Sequence, residues 1–272
     1  MKLNEFYKLA DSIAPKGLSD EFCKNYGAYD NSGLLVEAGE EVKGVLFTLD
    51  LTDEAIDKAL QSGANLIVTH HPLIYGKIDH ICQSDEGLLG GKLVKCIQNG
   101  ISVISMHLNL DVAKDGIDDS LMDGICRSAG KTAGVGTSLL QIMNPVQDSG
   151  YGKVYEIPSV TVGELVKGME KEFSTLRMTV YGDKTKKISR VASFCGAGAD
   201  EGTLSFAKRM GAEVFVSSDF KHHLLLRAVE SGMAVVVLTH YASENYGFKK
   251  YYEKIRQQIK IPCVYHTENA LL

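Results

Sequence analysis

No Cys-x-x-Cys pair occurs among the six cysteines Cys23, Cys82, Cys96, Cys126, Cys195 and Cys263. Thiols scattered in this way exclude a thiolate zinc site and a disulfide frame, and they fit a reducing compartment. No apolar run approaches the roughly 20 residues that a membrane span needs. The opening stretch MKLNEFYKLADSIAPKGLSDEF carries acidic residues where a signal peptide has its apolar core, so it reads as an amphipathic helix within the fold. Together these absences point to the cytoplasm. Lysine and arginine number 29 against 34 acidic residues, giving a formal charge of −5. That balance excludes a general nucleic-acid surface, which needs clustered cations. With five prolines, 44% hydrophobic and 23% charged residues, long disorder is excluded as well.

Two kinds of catalytic machinery are also missing. There is no Gly-x-Ser-x-Gly elbow, and no cysteine has a histidine at a motif spacing. The loop FCGAGADEG, residues 194–202, lacks the third glycine of a dinucleotide fingerprint and the Gly-Lys-Ser/Thr of a P-loop. Its glycines read as packing of a tight strand-to-helix turn, and no cofactor-binding loop remains.

What is present is an α/β rhythm. KGVLFTLDL, TDEAIDKALQSG and ANLIVTHH read as strand, helix and strand, and Gly63 stands where a C-cap glycine is expected. GLLGGKLVKCIQNG and ISVISMH continue as helix and strand, followed by the polar turn NLDVAKDGIDD and a helix through Cys126. The C-terminal third runs RVASFCG, DEGTLSFAKRMG, AEVFVSSD, HLLLRAVESG, MAVVVLTH and SENYGFKKYYEKIRQQI, again in alternation. Such an order implies largely parallel or mixed sheets covered by helices.

The two stretches align as a duplication. Gly63 falls over Gly211, Gly100 over Gly232, His107 over His240 and Asp111 over Glu244. The 272 residues therefore read as two interlocked βα-repeat lobes, 1–130 and 191–272. Residues 131–190 form a connector with short strands (KVYEIP, LRMTVYG) and one helix (TVGELVKGMEKEF).

In such sheets functional groups gather at the carboxyl ends of strands. His70 and His71, His107 and Asp111, and His240 and Glu244 all fall there. Imidazole and carboxylate suit Zn, Mn, Fe or Co. Three of these histidines with the two carboxylates already exceed what one open catalytic zinc takes, and they suit two cations about 3.5–4 Å apart. Each residue also has a plainer reading: Asp111 as a helix N-cap, Glu244 as a first-turn carboxylate, a strand-end histidine as structure. His222 and His223, in a first helical turn rather than at a strand end, read more readily as structure, and Asp219 with His223 four residues on is the alternative, an orienting pair or a substrate contact.

Taken in order, YDNSGLLVE, LIVTHHPLIY, MHLNLDVAKDGIDDSL, SSDFKHH and LTHYASE resemble the Nif-three-like dinuclear metal-centre family, whose members are labelled GTP cyclohydrolase 1 type 2. The resemblance covers nearly the whole chain. It implies two intertwined lobes with a two-metal site between them, ligated by His70, His71, Asp111, His240 and Glu244. His107 would stand beside the metals as an accessory acid/base or orienting group. It further implies a ring-like homohexamer in the compact form, without the inserted domain of longer members. VYHTENALL ends where the family often continues past a polar Thr-Asp-type motif.

The expected activity is hydrolysis by a water bridging two divalent cations, on a nucleotide or another small molecule. A non-catalytic metal-binding protein, a metallochaperone or a partner-binding regulator, is the competing expectation.

Overall fold

The N-terminal amphipathic stretch folds as two helices, α1 (Leu3–Ile13) and α2 (Lys16–Tyr26), rather than one. Pro15 is the reason. It disfavours helical backbone at the residue before it, and Ala14 is extended at φ −137° and ψ 83°. The computed structural model describes residues 1–84, 88–131, 138–139, 150–268 and 271. Residues 132–137 and 140–149 of the connector stretch, and 269, 270 and 272 of VYHTENALL, lie outside them.

The chain is α/β and divides into two compact units, Met1–Ala113 with Phe248–Thr267, and Lys114–Gly247 with Glu268–Leu272. In the first, β1 (Gly33–Val36), β2 (Val45–Thr48), α3 (Asp53–Ser62), β3 (Leu66–Thr69), α4 (Leu89–Gln98) and β4 (Ser102–Ser105) follow one another. Thr52 caps α3 by accepting the Ala55 N–H, and Gly63 ends it in the left-handed region at φ +71°. A short helix, α5 (Leu108–Val112), occupies the start of the expected polar turn.

In the second unit come α6 (Ile117–Ser128), β5 (Ser138–Leu139), β6 (Lys153–Thr161), α7 (Val162–Glu172), β7 (Met178–Tyr181), β8 (Lys187–Ser193), α8 (Glu201–Arg209), β9 (Val214–Ser217), α9 (His222–Glu230) and β10 (Ala234–Leu238). Next is α10 (His240–Arg256), whose residues from Phe248 belong to the first unit, as does β11 (Cys263–Tyr265). Among the described residues no helix is long and apolar enough to cross a membrane.

Both sheets are mixed. The first has the order β1-β4-β3-β2-β11 and the second β5-β6-β8-β9-β10-β7. Strands β2, β3 and β4 are parallel neighbours, as are β8, β9 and β10, while β1 and β7 run antiparallel on the outer side of β4 and β10.

The duplication read from the sequence holds in the cores. Leu46, Ile67 and Val103 meet Ile56 and Ala59 of α3 and Leu93 and Cys96 of α4. Ala192, Phe215 and Val235 meet Leu204 and Ala207 of α8 and Leu224 and Ala228 of α9 in the same way. On the other face of the first sheet Phe47 packs against Phe248, Tyr251 and Tyr252 of α10. Burial on both faces explains the unbroken apolar runs VLFT and LIVT, where a half-exposed strand would alternate. Each fully buried side chain of this size stabilises by about 1.5–3 kcal/mol.

Candidate metal centre

Parallel register sets what meets at the strand ends of the first unit. Thr48 pairs with Thr69, and Thr69 with Ser105. Asp50, His71 and His107, each two places further on, therefore stand in one row on chains about 4.8 Å apart. Gly33 pairs antiparallel with Ser105, which brings Asp30 and Ser32 to the far side of His107.

The row reads carboxylate, imidazole, imidazole, carboxylate. His71 Nδ1 donates to Asp50 Oδ1 at 2.8 Å, and His107 Nδ1 to Asp30 Oδ1 at 2.7 Å. Burial raises the Asp30 carboxyl, but hydrogen bonds from His107 and Ser32 outweigh it and hold its pKa at about 2. Asp30 is thus a carboxylate at neutral pH, and its charge backs the imidazole.

His70 is fully buried and donates Nδ1–H to the Met106 carbonyl at 2.7 Å. A carbonyl only accepts, so the proton lies on Nδ1 and the lone pair on Nε2. That Nε2 faces Asp111 Oδ1 at 3.3 Å, with Asp111 only 7% exposed. Two acceptors this close in a dry setting call for a cation between them, a proton or a metal. His70, His71 and His107 each offer a ligand atom within 4.8 Å of the others and could hold a metal ion.

The second unit repeats the plan with altered residues. Asp219 occupies the position of His71, and its Oδ2 accepts Nδ1–H of His240 at 2.6 Å; the pairing of Ser217 with Val237 puts Thr239 in the register position of His107, so His240 stands one residue beyond it. The four-residue spacing that pairs Asp219 with His223 in sequence gives way to this contact, because β9 and β10 are hydrogen-bonded neighbours. His223 instead lies on the exposed start of α9, 3.8 Å from Glu201. His240 Nε2 meets Glu244 Oε2 at 3.0 Å, one helical turn along α10.

Glu244 is 3% exposed, and a glycine makes its room. Ser193 pairs with Val216, so Gly196 stands beside Asp219, as Asp50 stands beside His71. A Cβ on Gly196 would lie 2.3 Å from Glu244 Oε1. The place that holds the Asp50 carboxylate in the first unit is thus vacated for the Glu244 carboxylate in the second.

Over residues 1–269 the sequence matches the model of the Duf34/NIF3 (NGG1p interacting factor 3) family. The chain belongs to the NIF3 family. A GTP cyclohydrolase 1 type 2 homolog of Clostridium perfringens is 30% identical over 262 residues, covering 95% of this chain and 93% of that one. A protein of the same name from Methanocaldococcus jannaschii is 27% identical over 269 residues, covering 97% and 98%. Among solved structures, reduced HcgD from Methanocaldococcus jannaschii aligns with a TM-score of 0.76 at 27% identity over 97% of each chain. A Bacillus cereus protein related to NIF3 aligns at 0.82 and 19% identity over 98% and 97%, a likeness of fold alone.

In this NIF3-family chain the structure adds Asp30, Asp50 and Gly196 to the residues legible in sequence, and it gives Asp219 a partner. Asp50 had a signal, since it follows the strand VLFT beside the histidine strand by two residues. Asp30, 77 residues from His107, had no spacing signal and was marked only by its place in YDNSGLLVE.

Burial lowers the His240 pKa, but the bonds to Glu244 and Asp219 outweigh it and raise it to about 9. The sign follows from linkage: a raised histidine stabilises fully below its unfolded value near 6.5 and loses that stabilisation as pH rises through 9. Metal-free protein is therefore expected to lose thermal stability between about pH 6.5 and 9. Asp219→Asn should flatten that slope in melting curves taken across the range. A metal held by His240 would replace the Nε2 proton, and the same variant should then weaken metal binding about 10- to 100-fold.

Proposed function

We propose that the protein is a hydrolase dependent on two divalent cations, with His70, His71, Asp111, His240 and Glu244 as their ligands. The observation that carries this reading is the engagement of every Nδ1. His71, His107 and His240 spend theirs on carboxylates and His70 on a carbonyl, which directs four Nε2 atoms to ligation or proton transfer. Neutral imidazole and carboxylate suit Zn, Fe, Mn or Co.

The chemistry such cations supply when bound is Lewis acidity toward a water and toward the bond it attacks. His107 is the accessory proton carrier. Asp30 holds its Nδ1–H, so a proton is taken up and released at Nε2, and the carboxylate stabilises the imidazolium. Access supports turnover over storage: the side chains of His71, His107 and His240 keep 25%, 23% and 35% of their surface. The substrate is a nucleotide or another small molecule, and the names of the relatives make a guanine nucleotide the first to try.

Elemental analysis of protein purified without added metal should find two metals per chain. Restoring that metal should then give turnover on a panel of nucleotides and phosphoesters, with His107→Gln slower by about 100-fold or more. Full metal content with no metal-dependent turnover would replace this reading by that of a metallochaperone or regulator.

A further inference from the structure

Beside the three-histidine cluster, two tyrosines stand out of the surface. Tyr29 and Tyr75 are 52% and 60% exposed, although Leu73 and Ile74, next to Tyr75 in sequence, pack against the core of the first unit. The loop therefore has its apolar anchors already, and Tyr75 is not needed as another.

Nor is this a loose surface ring. The Tyr75 hydroxyl donates to the Tyr29 carbonyl at 3.0 Å, and Asn31 Nδ2 donates to the Ile74 carbonyl at 2.7 Å, so residues 29–31 and 74–75 clamp each other. The rings meet edge to face at 5.1 Å and 83°. Gly76, at φ +95° with open space around it, turns the chain immediately after Tyr75. On its inner side the Tyr75 ring stands 6.3 Å from the His107 ring at 87°. Asp30, which holds His107, lies between Tyr29 and Asn31 in the same clamp.

We propose that Tyr75, braced edge-on by Tyr29, forms a stacking platform for a planar heteroaromatic ring, positioning a ligand with such a ring over the His70, His71 and His107 cluster. This deepens the metal-dependent reading above and rests on it. The argument is physical: a rigid, solvent-exposed aromatic face beside a polar centre is unused binding surface. Ordering it costs little on ligand binding, because the hydrogen bonds have already fixed it. Stacking accepts any flat ring, so the platform selects a class of ligand, a nucleobase or a ring like it, without reading its edges.

Titration calorimetry on manganese-saturated protein tests this with guanosine 5′-monophosphate and ribose 5-phosphate, of which only the first carries a heteroaromatic ring. Wild type should bind the nucleotide more tightly. Tyr75→Leu should weaken nucleotide binding by about 5- to 150-fold and leave ribose 5-phosphate unchanged. Tyr75→Phe, which keeps the ring face, should retain most of the affinity. Equal binding of both probes by wild type would overturn the platform, and so would a Tyr75→Leu loss shared by both probes. A change of oligomeric state with nucleotide affinity intact would reassign the face to an interface. Elemental analysis of the same samples separates the two readings: no bound metal with a surviving ring preference sinks the hydrolase alone, and full metal without ring preference sinks the platform alone.

Discussion

Asp111→Asn should abolish most of the metal-induced stabilisation while leaving the metal-free protein as stable as wild type. His70 Nε2 presents a lone pair 3.3 Å from Asp111 Oδ1, and the His70 proton is committed to the Met106 carbonyl. Asparagine keeps the shape and can turn an N–H toward that lone pair, so the fold loses nothing. It removes the anionic oxygen that a cation requires. Disturbing an orienting residue around a metal ligand already costs about 10- to 100-fold in affinity, so with Asp111 in the ligand role proposed above its loss should cost at least about 100-fold. At a metal concentration about 100 times the wild-type Kd, wild type gains about 2.7 kcal/mol and the variant about 0.4 kcal/mol. Urea denaturation with and without metal reads this difference directly. Unchanged metal content in the variant would remove Asp111 from the centre.

Gly196→Ala should be the costliest single methyl group in the second unit's site. The residue sits at φ +53°, where an alanine costs about 1–2 kcal/mol, and the added Cβ would come 2.3 Å from Glu244 Oε1 and 3.3 Å from His240 Nε2. Relieving that overlap adds about 1–3 kcal/mol and pushes the carboxylate away from the imidazole. Loss of about 2–5 kcal/mol is expected together with loss of metal. Gly63→Ala is the control: it has a similar φ of +71° with nothing within 4 Å of the new Cβ. It should cost only the backbone part and keep its metal. Equal effects of the two substitutions in denaturation and metal content would mean that Gly196 serves the turn and not the site.

These two residues mark how differently parts of the centre could be read. Asp111 was legible because it follows a strand-end histidine at a spacing that recurs as His240 and Glu244. Gly196 was legible only as a turn glycine in FCGAGADEG. Its second role exists because β8 and β9 pair in a register that puts it beside Asp219. The helices were equally uneven. The period of α3, α4, α8 and α9 is visible in the sequence because each covers one sheet face with one apolar stripe. The short α5 hides in a polar run, and the break at Pro15 divides what hydropathy alone shows as one stretch.

By itself the sequence determined the α/β class, the repeated βαβ unit with its paired C-cap glycines, and the histidines at strand ends, because these follow from local periodicity and from spacings within one supersecondary unit. Only the tertiary structure decided which carboxylate backs which imidazole. Asp50 reaches His71 and Asp219 reaches His240 across one βαβ step, 21 residues in each case, while Asp30 reaches His107 across 77. Such contacts depend on strand order and register, which short-range patterns do not encode, because many pairings bury the same apolar faces equally well.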